Sequence, residues 1–327
     1  AEIKDLSAKV IGDNWYVGII GAMDTADFAK SYSQDDDKNA NWNWKLGAVK
    51  PAGVEVGLLG YTAGIGFNKE FATNSNTKNG AFFSVKTPEY TFIEGLTAQA
   101  GATVAVQDKE FKNGQYGFGG KVAFAKDALA VNVAADMGYI ADAAKDGKFE
   151  AEIAANAKYD FISLNTYFAT KTSVNSDADN PVPQVVSAKN LLNAKLAADF
   201  ASFKLPLTAS VEMIDAANEG RILEAKAGYT IIEGLKVGLG YKTTLVEKPS
   251  WGIKGDVEYT LKDVATFKTA VEYKSAKTLS ITASAESKTL VNGATLKLAY
   301  SDNLINLYEG APANTAGKVV ASCKIAF

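Results

Sequence analysis

The fold is decided by the stretch Lys148-Phe149-Glu150-Ala151-Glu152-Ile153-Ala154-Ala155-Asn156-Ala157-Lys158-Tyr159-Asp160-Phe161. Its odd positions carry Phe149, Ala151, Ile153, Ala155, Ala157, Tyr159 and Phe161. Its even positions carry Lys148, Glu150, Glu152, Ala154, Asn156, Lys158 and Asp160. A helix would scatter these residues around its circumference, whereas a strand puts every apolar one on the same face. Trp251 to Lys262 and Leu279 to Lys288 repeat the alternation, and no comparable stretch holds a 3.6-residue period. The chain reads as all-β.

Working outward from these runs, crossing strands are predicted at 15–23, 42–50, 54–67, 81–93, 96–107, 115–126, 129–140, 148–161, 162–174, 192–202, 207–214, 222–232, 235–246, 251–262, 265–275, 278–289, 293–301 and 318–327. Pro51 and Pro206 fall in short connections, and Pro181, Pro183, Pro249 and Pro312 in longer loops, where a residue without a ladder donor belongs. Pro88 interrupts the run from Ala81 to Ile93 and implies a bulge or a weak strand. Short connections are expected at Lys50-Pro51-Ala52-Gly53, Glu94-Gly95, Asp127-Ala128, Phe161-Ile162, Glu233-Gly234, Asp263-Val264 and Val291-Asn292. Long ones are expected at 24–41, 68–80, 107–114, 141–147, 175–191 and 302–317. Phe92-Ile93-Glu94-Gly95-Leu96 echoes Ile231-Ile232-Glu233-Gly234-Leu235, which reads as one turn solution used twice. No linker or composition shift divides the chain, so residues 1–327 are expected to form a single domain.

Composition removes several classes of function. Lys and Arg total 34 against 37 Asp and Glu, a net charge of -3, which lacks the strongly basic face that nucleic acid requires. There is no histidine, which excludes His-based triads and imidazole metal sites, and the single Cys323 permits neither an internal disulfide nor a thiolate zinc site. No apolar run reaches the roughly 18 residues of a membrane-spanning helix. No basic segment leads into an apolar core at the start, so any secretory signal peptide is expected to have been removed.

A soluble sandwich and a membrane barrel both satisfy a period of two; they differ in whether the apolar face meets a core or lipid. Aromatic residues favour the barrel. Tyr139, Tyr241, Tyr273 and Tyr300 end strands that leave short turns, while Trp42, Trp44, Tyr116 and Trp251 begin strands on the long-loop side. With Trp15, Tyr159, Phe161 and Tyr229 near the short turns, they suggest two interfacial girdles. The strands are also longer than the five or six residues usual in sandwiches, and the row Ala130, Asn132, Ala134 and Asp136 is too polar for a dry core.

These features together resemble a bacterial outer-membrane porin of the general diffusion type. The terminal Phe327, in register with Val319, Ala321, Cys323 and Ile325, matches the C-terminal assembly signal of such barrels, and Ala1-Glu2-Ile3 resembles the mature start of enteric general porins. The resemblance implies a transmembrane antiparallel up-and-down β-barrel of about 18 strands, or about 16, with short periplasmic turns and long extracellular loops. With 14 residues before Trp15, no plug domain is expected ahead of the barrel. The resemblance further implies closure by pairing of the first residues with the last strand, an outer-membrane location in a Gram-negative envelope, lipid around the wall, and a homotrimer.

A barrel of this size encloses water, and its charged row suits that role. Pore-lining candidates are Lys121, Glu150, Glu152, Lys158, Lys195, Asp199, Glu224, Lys226, Lys254, Asp256, Glu258, Lys268, Glu272 and Lys297. Acidic loop candidates are Asp35, Asp36 and Asp37, with Asp177 and Asp179. Loop 24–41 carries five aspartates against Lys30 and Lys38, so it is a constriction candidate together with 175–191, and a modest cation preference is expected. Gly117-Phe118-Gly119-Gly120-Lys121 and Gly238-Leu239-Gly240-Tyr241-Lys242 lack phosphate-loop spacing and read as small inward residues. Asp35-Asp36-Asp37 lacks the EF-hand pattern, and Glu150/Glu152 and Asp256/Glu258 show no facing partner for acid–base catalysis. The reading is passive diffusion of ions and small hydrophilic solutes, with no enzymatic activity, cofactor or metal. The alternative is a structural or adhesive barrel without significant conductance.

Overall fold

A computed structural model describes residues 7–21, 28, 52–68, 80–106, 114–142, 145–170, 174–175, 184–185, 190–219, 221–307 and 317–325. The chain divides into two compact units, Ala1–Asp160 with Asn165–Leu192, and Phe161–Leu164 with Asn193–Phe327. Among the described residues both are antiparallel β, without an α-helix.

The first unit contains β1 (Ala8–Ile11), β2 (Trp15–Ile20), β3 (Ala52–Leu58), β4 (Tyr61–Asn68), β5 (Gly80–Lys86), β6 (Tyr90–Ile93), β7 (Leu96–Val106), β8 (Gly114–Lys126), β9 (Leu129–Asp142) and β10 (Lys145–Tyr159). Part of β11 (Ile162–Ala169) and the short hairpin of β12 (Val174–Asn175) and β13 (Gln184–Val185) belong to it as well. From β1 to β5 and from β7 to β10 each strand pairs antiparallel with the next, β5 and β6 both pair with β7, and β12 pairs with β13. The second unit contains β14 (Leu191–Asp199) from Asn193 on, a 3₁₀ turn at Phe200–Phe203, β15 (Leu207–Ile214), β16 (Ile222–Ile232), β17 (Leu235–Thr244), β18 (Trp251–Leu261), β19 (Ala265–Lys274), β20 (Thr278–Ser287), β21 (Ala294–Asn306) and β22 (Lys318–Ile325). Each of its strands pairs with the next in an up-and-down meander.

The strand count departs from the sequence expectation for local reasons. The run 54–67 is a hairpin, turning at Leu59 and Gly60, whose φ values of 51° and 84° are left-handed. Ala52 and Gly53, expected in a short turn, are strand residues opposite Phe67 and Gly66. β1, unpredicted, pairs with β2, whose other neighbour is β3. The predicted strand 42–50 and residues 1–6 lie outside the described residues. The run 81–93 breaks at Thr87-Pro88-Glu89, as the proline implied. There Thr87 N–H still donates to Ala100 O at 2.8 Å, Thr87 Oγ1 accepts from Ala100 N–H at 3.0 Å, and the Gln99 amide donates to Thr87 O at 3.0 Å. Side chains thus take over ladder bonds that the proline interrupts. β12 and β13 occupy part of the expected loop 175–191.

Burial distinguishes the two faces. In β9 and β10 the polar row is covered: Asp136 and Glu152 are each 1% exposed, while Met137 and Ile153 are 44% and 41% exposed. In the second unit Glu212 is 6% exposed, against 48% for its chain neighbour Val211 and 61% for Leu239. A water-soluble sandwich has the reverse order. The buried cluster of the first unit, Phe28, Ala134, Ala154, Tyr167 and Ala169, contains Ala134 and Ala154 of the polar row and is no sandwich core.

The sequence echo is one turn built twice. At the first copy the register slips between Thr91 and Ile93, and at the second between Thr230 and Ile232. Gly95 and Gly234 have φ of 83° and 84°, and each accepts at its carbonyl from the next strand, Ala125 N–H at 2.8 Å and Thr260 N–H at 2.7 Å. A Cβ at Gly95 would stand 2.1 Å from Ala125 O, and one at Gly234 2.5 Å from Thr260 O. Gly95→Ala and Gly234→Ala should each destabilise the fold by about 2 kcal/mol or more, combining a left-handed backbone with a backbone clash. Urea unfolding in detergent micelles checks this, with Gly255→Ala, where no atom lies within 4 Å, expected to shift the midpoint little.

Candidate functional site

On the second unit the candidate residues meet across strands. Lys195 lies opposite Glu212, Glu212 opposite Glu224, and Glu224 opposite Lys242. Lys226 and Lys254 flank Gly240, Lys254 faces Glu272, and Glu258 stands between Lys236 and Lys268. Asp256 faces Gly238, and Lys297 faces Glu286. Four ion pairs occur among the described residues of this unit: Lys226–Glu224 at 2.8 Å, Lys268–Glu258 at 2.7 Å, Lys274–Glu272 at 3.4 Å and, at the end of β20, Lys288–Glu286 at 3.9 Å. Their lysines are half open, so each pair contributes no more than about 1 kcal/mol to stability. Their larger effect is to hold both signs of charge along one face. Asp199 has a different role: its carboxylate caps the 3₁₀ turn, accepting from Ala201 N–H at 3.0 Å.

On the first unit Lys121 pairs with Glu89 at 2.6 Å, an acid that the Pro88 bulge brings to β8. Lys158 lies opposite Ala130 and is exposed. The Glu150 side chain lies outside the described residues; its backbone pairs with Gly138. Glu152, expected to line the pore, is instead covered, and accepts a hydrogen bond from the Tyr167 hydroxyl. Its cross-strand partner is Asp136, whose Oδ2 accepts from the backbone N–H of Phe28 at 2.8 Å. Phe28 belongs to the connection between β2 and β3 and is 5% exposed. The polar face of β9 and β10 therefore holds one residue of that connection in a socket of Ala134, Ala154, Tyr167 and Ala169. Sequence reading missed Phe28, Tyr167 and the anchoring role of Asp136. The available signal was small: Asp136 is the one acid in the row Ala130, Asn132, Ala134, Asp136.

The girdle candidates fall on the apolar face. Tyr139 lies opposite Tyr116 and packs on Phe149 at 5.1 Å between ring centroids. Tyr241 and Tyr273 share a register row through Ile253, and Trp251 meets Tyr273 edge-on at 5.8 Å. Tyr300 is off that row, opposite Ala283 and Val319. Trp42, Trp44, Asp35, Asp36, Asp37, Asp177, Asp179 and Phe327 lie outside the described residues. Among the described residues no group of three or more His, Cys, Asp or Glu side chains is placed to hold a metal ion.

Up-and-down antiparallel pairing with an exposed apolar row and a covered polar row gives a porin-like fold. No family model matches the chain, and no curated protein matches it. Among solved structures it is similar to a mutant of Rh. blastica porin, at 12% identity and a TM-score of 0.41, over 81% of this chain and 96% of that one. A triple mutant of Rhodopseudomonas blastica porin is similar at 11% identity and 0.41, over 79% and 94%. A chain described under asymmetric conductivity of engineered proteins is similar at 10% identity and 0.41, over 80% and 95%.

Leaving a buried N–H without its acceptor costs about 1–3 kcal/mol. Asp136→Ala should therefore speed hydrogen exchange at the Phe28 amide about 10- to 100-fold, while the Val257 amide in β18 keeps its rate. Unchanged exchange at Phe28 would show that the anchor lies elsewhere.

Proposed function

We propose that residues 1–327 form one closed transmembrane β-barrel of a bacterial outer membrane, acting as a porin for ions and small hydrophilic solutes. The observation that carries this reading is the inverted burial: Leu239, Ile253 and Val211 are open to the surroundings while Glu212 and Glu152 are covered. Apolar rows exposed over many strands suit lipid, since soluble monomers rarely expose contiguous apolar patches beyond a few hundred Å². The polar face then lines water, with the ion-paired Lys and Glu residues as its wall. Passage through such a wall needs no covalent chemistry and no cofactor. Trp251, Tyr273, Tyr139 and Phe149 supply amphipathic or aromatic contacts at the lipid boundary.

Two finer features belong to the same proposal. The connection 24–41 constricts the channel, a role favoured by the seat of Phe28 against the polar face. The chain assembles as a homotrimer, for which the apolar face offers a flat row, Ala198, Ala209 and Ala227, across β14, β15 and β16. The register aligns these alanines from three separate strands, which is why the sequence does not show them as a group.

Purified protein in a planar lipid bilayer should give stepwise ion conductance, and liposomes containing it should swell in small sugars. Folded protein without conductance would transfer the reading to a structural or adhesive barrel. Phe28→Ala should enlarge the conductance step; an unchanged step would remove the 24–41 connection as the constriction. Native mass measurement in mild detergent should give three copies, and a monomer would overturn the trimer.

A further inference from the structure

The apolar face of the second unit is not evenly filled. Along β20 its outward positions include Ala283, Ala285 and Ser287, short side chains in a row. On one side stands Phe267 of β19, opposite Ala285. On the other stand Leu296, Leu298 and Tyr300 of β21, opposite Ser287, Ala285 and Ala283. Short residues between two tall rows make a trough, and two recesses of about 580 and 390 Å³ lie in it, sharing Phe267, Ala285 and Leu298. From Ala283 to Ser287, at about 3.4 Å per residue, the trough is roughly 13 Å long. Phe267 and Leu298 are 44% and 54% exposed, so the described residues leave it open.

One end of the trough is tied to a turn. The Ser287 hydroxyl donates to Val264 O, and so does the Thr289 hydroxyl, at 3.2 Å. These bonds hold the connection between β18 and β19 against the end of β20, and Val264 lines the larger recess. The connection carries Lys262 and Asp263, both exposed, the latter with a left-handed φ of 57°. Among the described residues neither has an ion-pair partner within 4 Å, whereas Lys288 nearby is paired with Glu286 at 3.9 Å. The apolar trough therefore opens beside one cation and one anion that are adjacent in sequence.

We infer that this trough holds one molecule of a zwitterionic phospholipid, with an acyl chain along β20 and the head group at Lys262 and Asp263. The inference rests on the membrane-barrel reading for its supply of lipid. It goes beyond that reading, because contact with bulk bilayer needs neither a trough nor a particular head group. A lipid phosphate beside the Lys262 ammonium and a lipid ammonium beside the Asp263 carboxylate match both charges with one molecule. A purely anionic head group would set like charge against Asp263. The walls of an unfilled trough lack contact atoms on one side, and a row of methylenes supplies them. The trough shares no residue with the row Ala198, Ala209 and Ala227 offered to a partner protomer.

The test uses the full-length protein in a non-ionic detergent, mixed with phosphatidylethanolamine and weighed by native mass spectrometry. One retained lipid per chain is expected. Ala285→Trp, which fills the floor of the trough, should weaken retention about tenfold or more, the effect of a few methylenes kept out of an apolar site. Ala135→Trp, at an outward position of β9, should leave it unchanged. Lys262→Gln combined with Asp263→Asn should weaken it about three- to tenfold, the range for two exposed charge pairs. Phosphatidylglycerol, which has the phosphate without the ammonium, should be held less tightly than phosphatidylethanolamine. Cys323 lines the larger recess and gives a second readout that needs no variant: its alkylation should slow severalfold as phosphatidylethanolamine is added. Equal retention in all variants, alkylation indifferent to lipid, or a second protein copy in place of the lipid overturns the site. Bilayer recordings separate this outcome from the channel reading. Conductance without a retained lipid removes the site alone, and a retained lipid without conductance removes the channel while the site stands.

Discussion

A strand that presents its apolar row to the surroundings must satisfy its backbone polar groups in the ladders on both sides. In a soluble sheet an exposed edge can hydrogen-bond to water, but an apolar environment offers nothing in exchange. The pairing found here answers that demand strand by strand. β15 to β21 each have two antiparallel neighbours, and where Pro88 removes a donor, Thr87 and Gln99 replace the ladder bonds with side-chain ones. The repeated Glu-Gly turns serve the same end. Gly95 and Gly234 allow a neighbouring backbone so close that their carbonyls are bonded by the following strand.

Once the backbone is satisfied, the polar face is free to carry charge without supporting the fold. Most of its ion pairs join residues two apart on one strand, as in Lys226–Glu224 and Lys274–Glu272, or directly opposite residues, as in Lys268–Glu258. Half-exposed pairs of this kind contribute little stability, so their arrangement is available to function. Asp136 and Glu152 are the opposite case. Both are fully covered, and both are tied to groups from outside β9 and β10, the Phe28 N–H and the Tyr167 hydroxyl. Burying two cross-strand carboxylates is costly unless hydrogen bonds compensate, which explains why a connection and a third strand converge on this one point.

Much of this was legible in the sequence because strand periodicity is local. Lys148 to Phe161 sorts its residues by face without reference to any other part of the chain, and the turns at Glu94-Gly95, Asp127-Ala128 and Glu233-Gly234 follow from left-handed positions that Gly and Asp tolerate. The hairpin inside 54–67 was also legible but was passed over. Its apolar positions are even up to Val54, Val56 and Leu58 and odd from Tyr61, Ala63, Ile65 and Phe67, so the phase changes across Leu59-Gly60. Pro51-Ala52-Gly53 offered a more familiar turn composition and drew the boundary to the wrong place. Phe28 had no such signal. It is one of two aromatics, with Tyr32, in an aperiodic acidic stretch, and its partners, Asp136 and the alanines around it, are brought to it only by register between strands more than a hundred positions away.

The glycines of the polar face show how a wall can be charged without being filled. Opposite Gly57 lies the ring of Tyr16, opposite Gly18 the stem of Lys9, opposite Gly119 the carboxylate of Asp136, and opposite Gly238 that of Asp256. In each pair a long or polar side chain lies down across the position where its partner has none. A Cβ at any of these glycines would meet that side chain within 3.0 Å, so the side chain would have to stand up from the sheet. Glycine here acts on the direction of its neighbour and not on the backbone. Side chains that lie flat keep their charge close to the sheet, and at Asp136 the space above is taken by Phe28, whose N–H the carboxylate accepts. Spacing between strands fixes the pairing, but the choice of glycine on one strand and a charged residue on the next fixes how far each charge reaches from the wall.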